Sequence, residues 1–176
     1  GAGRIGQRVL KLLSGFDIEK IFVNDVDDTI VFENSDHIVF KDKESIYEQA
    51  DIISVHVPLT EKTRGMIGDR EFSIMKEGTI VVNTSRGGIV DEAALFNALD
   101  TNQIGGAAID VFETEPYEGN LKKLENCLLT AHMGSMSVDC RTQMEIEATE
   151  DTVRFLTGEG LKRPVPMSEY RNQEGS

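Results

Sequence analysis

Short apolar runs of strand length alternate with segments of helical periodicity along nearly the whole chain, and no other feature restricts the fold as much. The runs fall at residues 20–25, 37–41, 52–57, 79–83, 106–111 and 127–130, and helical spacing occupies 4–13, 43–50, 69–75, 91–99 and 135–156. Strand, crossover helix and parallel strand form the unit that such alternation builds, so the pattern predicts an α/β fold with a doubly wound parallel sheet. Most runs are apolar throughout rather than at every second position, which predicts a sheet covered on both faces. Asp91 is a candidate N-cap, and Gly78 and Gly158 are candidate helix stops.

The chain opens on Gly1-Ala2-Gly3-Arg4-Ile5-Gly6, in which Gly1, Gly3 and Gly6 have G-x-G-x-x-G spacing. In such a turn the first glycine permits the bend, the second lets backbone approach a pyrophosphate, and the third allows close helix packing. The following helix adds free N–H groups and a positive dipole end. The turn belongs after a central strand, and none precedes it, which predicts a Rossmann-like dinucleotide-binding domain over residues 1–158 that lacks its first strand, followed by a polar C-terminal tail at 159–176. Asp25 stands at the end of the next strand, about 20 residues on, where a carboxylate can accept from the ribose hydroxyls of an adenosine. The segment Asn24-Asp25-Val26-Asp27-Asp28 has no base to neutralise a 2′-phosphate, so NAD is favoured over NADP.

The charge balance narrows the partners. With 31 acids against 18 Lys and Arg the net charge is -13, and the clustered bases that nucleic acid or an anionic membrane needs are missing. At 176 residues and 39% hydrophobic composition, one domain with a real core is expected. Cys127 and Cys140 have neither metal-ligand nor disulfide-scaffold spacing, which fits reduced thiols in a cytoplasmic protein, and no metal site is expected. No stretch reaches the ~18 apolar residues that span a bilayer, so a soluble protein is expected.

Four segments put polar or special residues directly after an apolar run, at the carboxyl edge where open α/β sheets bind ligands. They are residues 55–60 (VHVPLT), 82–88 (VNTSRGG), 110–116 (DVFETEP) and 131–135 (AHMGS). An arginine, a carboxylate and a histidine brought together there suit hydride transfer to a 2-oxo acid. The guanidinium can hold a substrate carboxylate by two parallel hydrogen bonds, the histidine can exchange a proton with the C2 oxygen, and the carboxylate can orient the imidazole and favour its protonated form. His37 reads as a surface histidine and His56 as a buried, satisfied one. On the last helix Glu145, Glu147, Glu150 and Asp151 make a charged face, with Met144, Ala148, Val153 and Leu156 as the expected buried face.

At these segments the chain resembles the D-isomer-specific 2-hydroxyacid dehydrogenase family, through GAGRIG at 1–6, VHVPLTEKTRGMI at 55–67, NTSRGGIVDEAAL at 83–95, AIDVFETEP at 108–116 and AHMGS at 131–135. The resemblance runs from Gly1 to about Gly158 with order and spacing kept. It implies Arg86 as the substrate-carboxylate binder, Glu115 as partner of the catalytic histidine and His132 as general acid/base. It also implies NAD contacts from Gly1, Gly3, Arg4, Ile5 and Gly6 at the phosphates and Asp25 at the ribose. Val57 and Pro58 would lie on the adenine side, Thr84, Ser85, Arg86 and Asp110 near the nicotinamide, and His132 and Gly134 in the last loop. The family commonly has proline where Ala131 stands, and its formate dehydrogenases have glutamine where Glu115 stands, which disfavours formate.

In the resembling family the long helix, here 135–158, borders a hinge to a substrate-recognising domain that is absent from this sequence. The expected protein is therefore an NAD-dependent oxidoreductase acting on a small 2-hydroxy or 2-oxo acid, a homodimer, with the 176 residues inactive alone. An NAD(H)-sensing, corepressor-like binding protein of the same fold is the alternative, and an inactive truncated product is a third possibility.

Overall fold

The structure, a computed structural model, describes residues 1–30, 32 and 37–165. The order is α1 (Arg4–Leu13), β1 (Ile21–Val23), β2 (Ile38–Phe40), α2 (Lys43–Gln49), β3 (Ile52–Val55), α3 (Asp69–Ile74), β4 (Ile80–Asn83), α4 (Glu92–Asp100), β5 (Gly106–Ile109), a 3-10 turn (Asn120–Lys123), β6 (Cys127–Leu129) and α5 (Val138–Leu156). All strand pairings are parallel. β3-β4-β5-β6 form one sheet in sequence order, with Ile52, Ile80 and Gly106 in one row, and β1 and β2 form a separate pair. The single doubly wound sheet expected from the sequence is thus present as two parallel units, because β1 and β3 do not pair with each other. What joins them is the glycine turn: the Ala2 amide donates to Asp25 Oδ2 beyond β1 at 2.5 Å, while Gly1 packs on the His56 carbonyl beyond β3.

Along β3 to β5 burial alternates, so that Ile53, Val55, Val81, Ala107 and Ile109 point into one core. Helices α2, α3 and α4 close that side with Tyr47, Phe72, Met75, Leu95 and Leu99. Each fully buried side chain of this size contributes about 1.5–3 kcal/mol. The other face carries Ile52, Ile80 and, on β6, Leu128, all exposed, so the expectation of a sheet covered on both faces is corrected. The runs are apolar on both sides, yet no described element covers the second one.

Helix starts follow local chemistry. Asp91 accepts from the Ala94 amide at 2.8 Å, Asp42 from the Ser45 amide at 2.8 Å, and Ser137 from the Cys140 amide at 3.2 Å, each satisfying a first-turn donor. Capped by Ser137, α5 therefore starts at Val138, three residues later than the periodicity predicts. Gly158 ends it in the left-handed region, at φ 76°. Helix α5 has no buried residue, which corrects the buried face expected of Met144, Ala148, Val153 and Leu156. Its acidic face is engaged: Lys162 Nζ meets Glu150 Oε2 at 2.7 Å, the Lys162 amide donates to Asp151 Oδ1 at 2.9 Å, and Arg163 pairs with Glu147. Residues 159–163 are thus tied to α5 rather than forming the start of a free tail, and 166–176 lie outside the described residues.

Candidate active site

At the glycine turn, a Cβ on Gly6 would lie 2.2 Å from the Gly1 carbonyl oxygen, and one on Gly1 would lie 2.4 Å from the His56 carbonyl oxygen. No side chain is possible at either position. Gly3 differs, since a Cβ there would meet nothing within 4 Å. It is the N-cap of α1 and supplies no side-chain cap, so the helix presents its positive end beside an open stretch of backbone, with Arg4 and Ile5 in the first, exposed turn. Asp25 borders the same turn. Its Oδ2 accepts from Ala2 and its Oδ1 from the Asp27 amide at 3.0 Å, and each carboxylate oxygen keeps a further lone pair for a ribose hydroxyl. Val57 packs beside Gly1, and the exposed Pro58 follows it. An open Gly3, a helix N-terminus without a side-chain cap and a flanking carboxylate fit a dinucleotide with a free ribose 2′-hydroxyl.

The next loop leaves β4. Ser85 Oγ donates to the Val55 carbonyl at 2.6 Å, and Asn83 holds the loop backbone by donating to the Arg86 carbonyl at 3.0 Å and accepting from the Ser85 amide at 3.1 Å. A Cβ on Gly87 would fall 2.0 Å from the Phe112 carbonyl, so this loop lies directly on the one after β5. Thr84 and Arg86 are exposed, and the Arg86 guanidinium donates to the Ser85 carbonyl at 2.6 Å.

The third part comes from the ends of β5 and β6. Buried Asp110 accepts from Thr130 Oγ1 at 2.5 Å and from the Met133 amide at 2.8 Å, and its carbonyl accepts from the His132 amide at 2.8 Å. Burial works to raise its pKa, but the hydrogen bonds from Thr130, Met133 and Gly134 and the nearby His132 outweigh it and hold the carboxyl below its ordinary value. His132 sits in the left-handed region, at φ 53°, a conformation this anchored loop imposes. Its Nδ1 lies 3.0 Å from Glu115 Oε2, while Glu115 Oε1 accepts from the Phe112 amide at 3.0 Å. The hydrogen bond to His132, then that from Phe112, hold the Glu115 carboxyl below its ordinary value.

Arg86, Glu115 and His132 open into one cavity of about 410 Å³, lined also by Arg64, Phe112 and Glu113. The glycine turn and Asp25 lie outside that lining; the end of β3 touches both, since Gly1 packs on His56 and Ser85 of the Arg86 loop donates to Val55. Gly134 is exposed in the last loop. Sequence reasoning did not single out Arg64, Glu113 or Asn83. All three stand inside segments that carry the family resemblance, but nothing in their spacing marks them. His56 is half-buried and shares a 2.9 Å hydrogen bond with Ser54 Oγ, in line with a satisfied histidine.

Residues 1–134 match the family model described as D-isomer specific 2-hydroxyacid dehydrogenase, NAD binding domain. The chain belongs to this family. It is 39% identical over 165 residues to the glyoxylate reductase of Thermococcus litoralis, covering 90% of this chain and 48% of the relative. With the D-3-phosphoglycerate dehydrogenase of Methanocaldococcus jannaschii it shares 37% identity over 168 residues, covering 95% and 32%. Among solved structures, D-lactate dehydrogenase with NAD+ from Lactobacillus jensenii superposes with TM-score 0.80 at 27% identity, covering 94% of this chain and 54% of that one. The chain thus spans about half or less of the length of these relatives, the part that family descriptions assign to NAD.

Proposed function

We propose that the protein is an NAD-dependent oxidoreductase that interconverts a D-2-hydroxy acid and its 2-oxo acid. The observation that carries this reading is the shared cavity of Arg86 and the hydrogen-bonded Glu115–His132 pair. Arg86 binds the substrate carboxylate through two guanidinium nitrogens and polarises the adjacent carbonyl. With Nδ1 engaged by Glu115, Nε2 of His132 is the atom that gives a proton to the C2 oxygen in reduction and takes it back in oxidation. Glu115 keeps the imidazole oriented through its hydrogen bond to Nδ1. A bound NADH supplies the hydride that C2 receives. Gly1, Gly3, Arg4, Ile5 and Gly6 serve the phosphates, Asp25 the ribose, and Val57 and Pro58 the adenine side. Thr84, Ser85 and Asp110 serve the nicotinamide side, with Gly134 beside them. The large negative net charge fits small-molecule substrates, not nucleic acid or anionic membrane, and no helix among the described residues is long and apolar enough to cross a membrane. We assign a cytoplasmic location and a homodimer, the latter supported by the open apolar face at Ile52, Ile80 and Leu128.

A steady-state assay of the full-length protein with NADH and a panel of glyoxylate, hydroxypyruvate, 3-phosphohydroxypyruvate and pyruvate tests the reading. At least one acid is turned over, and His132→Ala lowers kcat by at least about 100-fold with NADH affinity kept. Tight NADH binding without turnover of any 2-oxo acid would replace the enzyme by an NAD(H) sensor.

A further inference from the structure

We infer that Asn83 is a positioning residue for the active site, tying the Arg86 loop to the strand from which the His132 loop hangs. This deepens the proposed reading and rests on Arg86 as the carboxylate binder. Asn83 is the last residue of β4 and is 2% exposed. Its side chain faces the Arg86 loop with both functions used: Nδ2 donates to the Arg86 carbonyl at 3.0 Å and Oδ1 accepts from the Ser85 amide at 3.1 Å. Its main chain faces the other way, where its carbonyl accepts from the Asp110 amide at 3.0 Å. Asp110 in turn fixes the amides of His132 and Met133. One residue therefore holds, by side chain and backbone, the two loops whose spacing sets the distance between guanidinium and imidazole.

Among side chains of this shape and reach, the amide alone meets the demand at this position. It donates and accepts at once, whereas an ionised aspartate cannot donate and a leucine leaves the Ser85 amide and Arg86 carbonyl without partners. Among the described residues the Arg86 guanidinium hydrogen-bonds to the neighbouring Ser85 carbonyl. Its aim consequently follows the loop backbone that Asn83 sets.

The test compares Asn83→Ser, Asn83→Asp, Arg86→Lys and the double variant Asn83→Ser/Arg86→Lys in the full chain, using the best 2-oxo acid of the panel. Asn83→Ser raises KM for the acid roughly tenfold to 100-fold, as expected when a binding group is displaced by about 1 Å. The dissociation constant of NADH, read by fluorescence, stays within about twofold, because the cofactor turn is held elsewhere. In the Arg86→Lys background the same substitution adds little, since the two act as one unit. Asn83→Asp is the second arm should Asn83→Ser fail to fold, and it shows the same KM effect. Loss of thermal stability with an unchanged KM, or full additivity with Arg86→Lys, overturns the inference and leaves Asn83 as a structural residue. An unchanged KM in Arg86→Lys alone would instead remove the reading of Arg86.

Discussion

Glu115 divides its carboxylate between two neighbours, the Phe112 amide and the His132 ring, each at 3.0 Å. The chain thereby fixes the orientation of the imidazole with a residue that is itself pinned to backbone, the arrangement a proton-transfer group needs if its geometry is to survive each turnover. Asp110 does the same for the backbone of the His132 loop. Asp110→Ala leaves the Met133 amide without its partner and is expected to cost about 1–3 kcal/mol in urea unfolding, together with a lower kcat; an unchanged midpoint would show that the loop is held otherwise. The segments that bring Arg86, Glu115 and His132 to one cavity were legible because each follows an apolar run, and the family resemblance singled out the three residues within them. Asn83 and Arg64 were not, because their importance lies in hydrogen bonds and neighbours that only the folded loops create. The cysteines were separable only by burial. Burial pushes the Cys127 thiol up to about 11, while Cys140 is exposed. Alkylation of the native protein at pH 8 is expected to label Cys140 faster than the half-buried Cys127, and equal rates would contradict the difference in burial.

Every helix and strand expected from the sequence exists, with ends displaced by a few residues, because the 3.6-residue helical period is set by backbone geometry and the strands stand out as short continuous apolar runs. The 3-10 turn at Asn120–Lys123 escaped because four residues are too short to show a period. Capping was readable for Asp91, where a short carboxylate precedes an apolar helix. Asp91→Ala is expected to destabilise the fold by about 1 kcal/mol in chemical denaturation, since α4 packs Leu95 and Leu99 into the core; no change would mean that water replaces the cap. What periodicity could not reveal is whether an apolar side finds a neighbour. The second faces of β3 and β4 and the apolar positions of α5 read as buried, yet they are exposed in the described residues.

On the scale of the whole molecule, acid titration follows from the carboxylates. Glu115 and Asp110 have folded pKa values below their ordinary 4.5 and 3.8. Their stabilisation is complete above those ordinary values and is lost as pH falls through the lower folded ones. Glu92, raised by burial, acts in the opposite direction. Stability measured by circular dichroism is expected to fall below pH 4.5, with part of the loss absent in Asp110→Ala; a midpoint that does not move between pH 5 and 3 would contradict this. The open apolar face predicts self-association, and light scattering showing a monomer at high concentration would count against it.

The proposed function requires that the nucleotide turn, which links the end of β1 to the end of β3, and the Arg86–His132 cavity serve one reaction. Reduction by NADH deuterated at C4 in the transferring position, using whichever acid of the panel is turned over to a chiral product by the full-length protein, is the decisive measurement. A product of D configuration with deuterium at C2 is expected, formed at least about 100-fold more slowly by His132→Ala. A product of L configuration, or one whose C2 carries no deuterium, would contradict the proposed function.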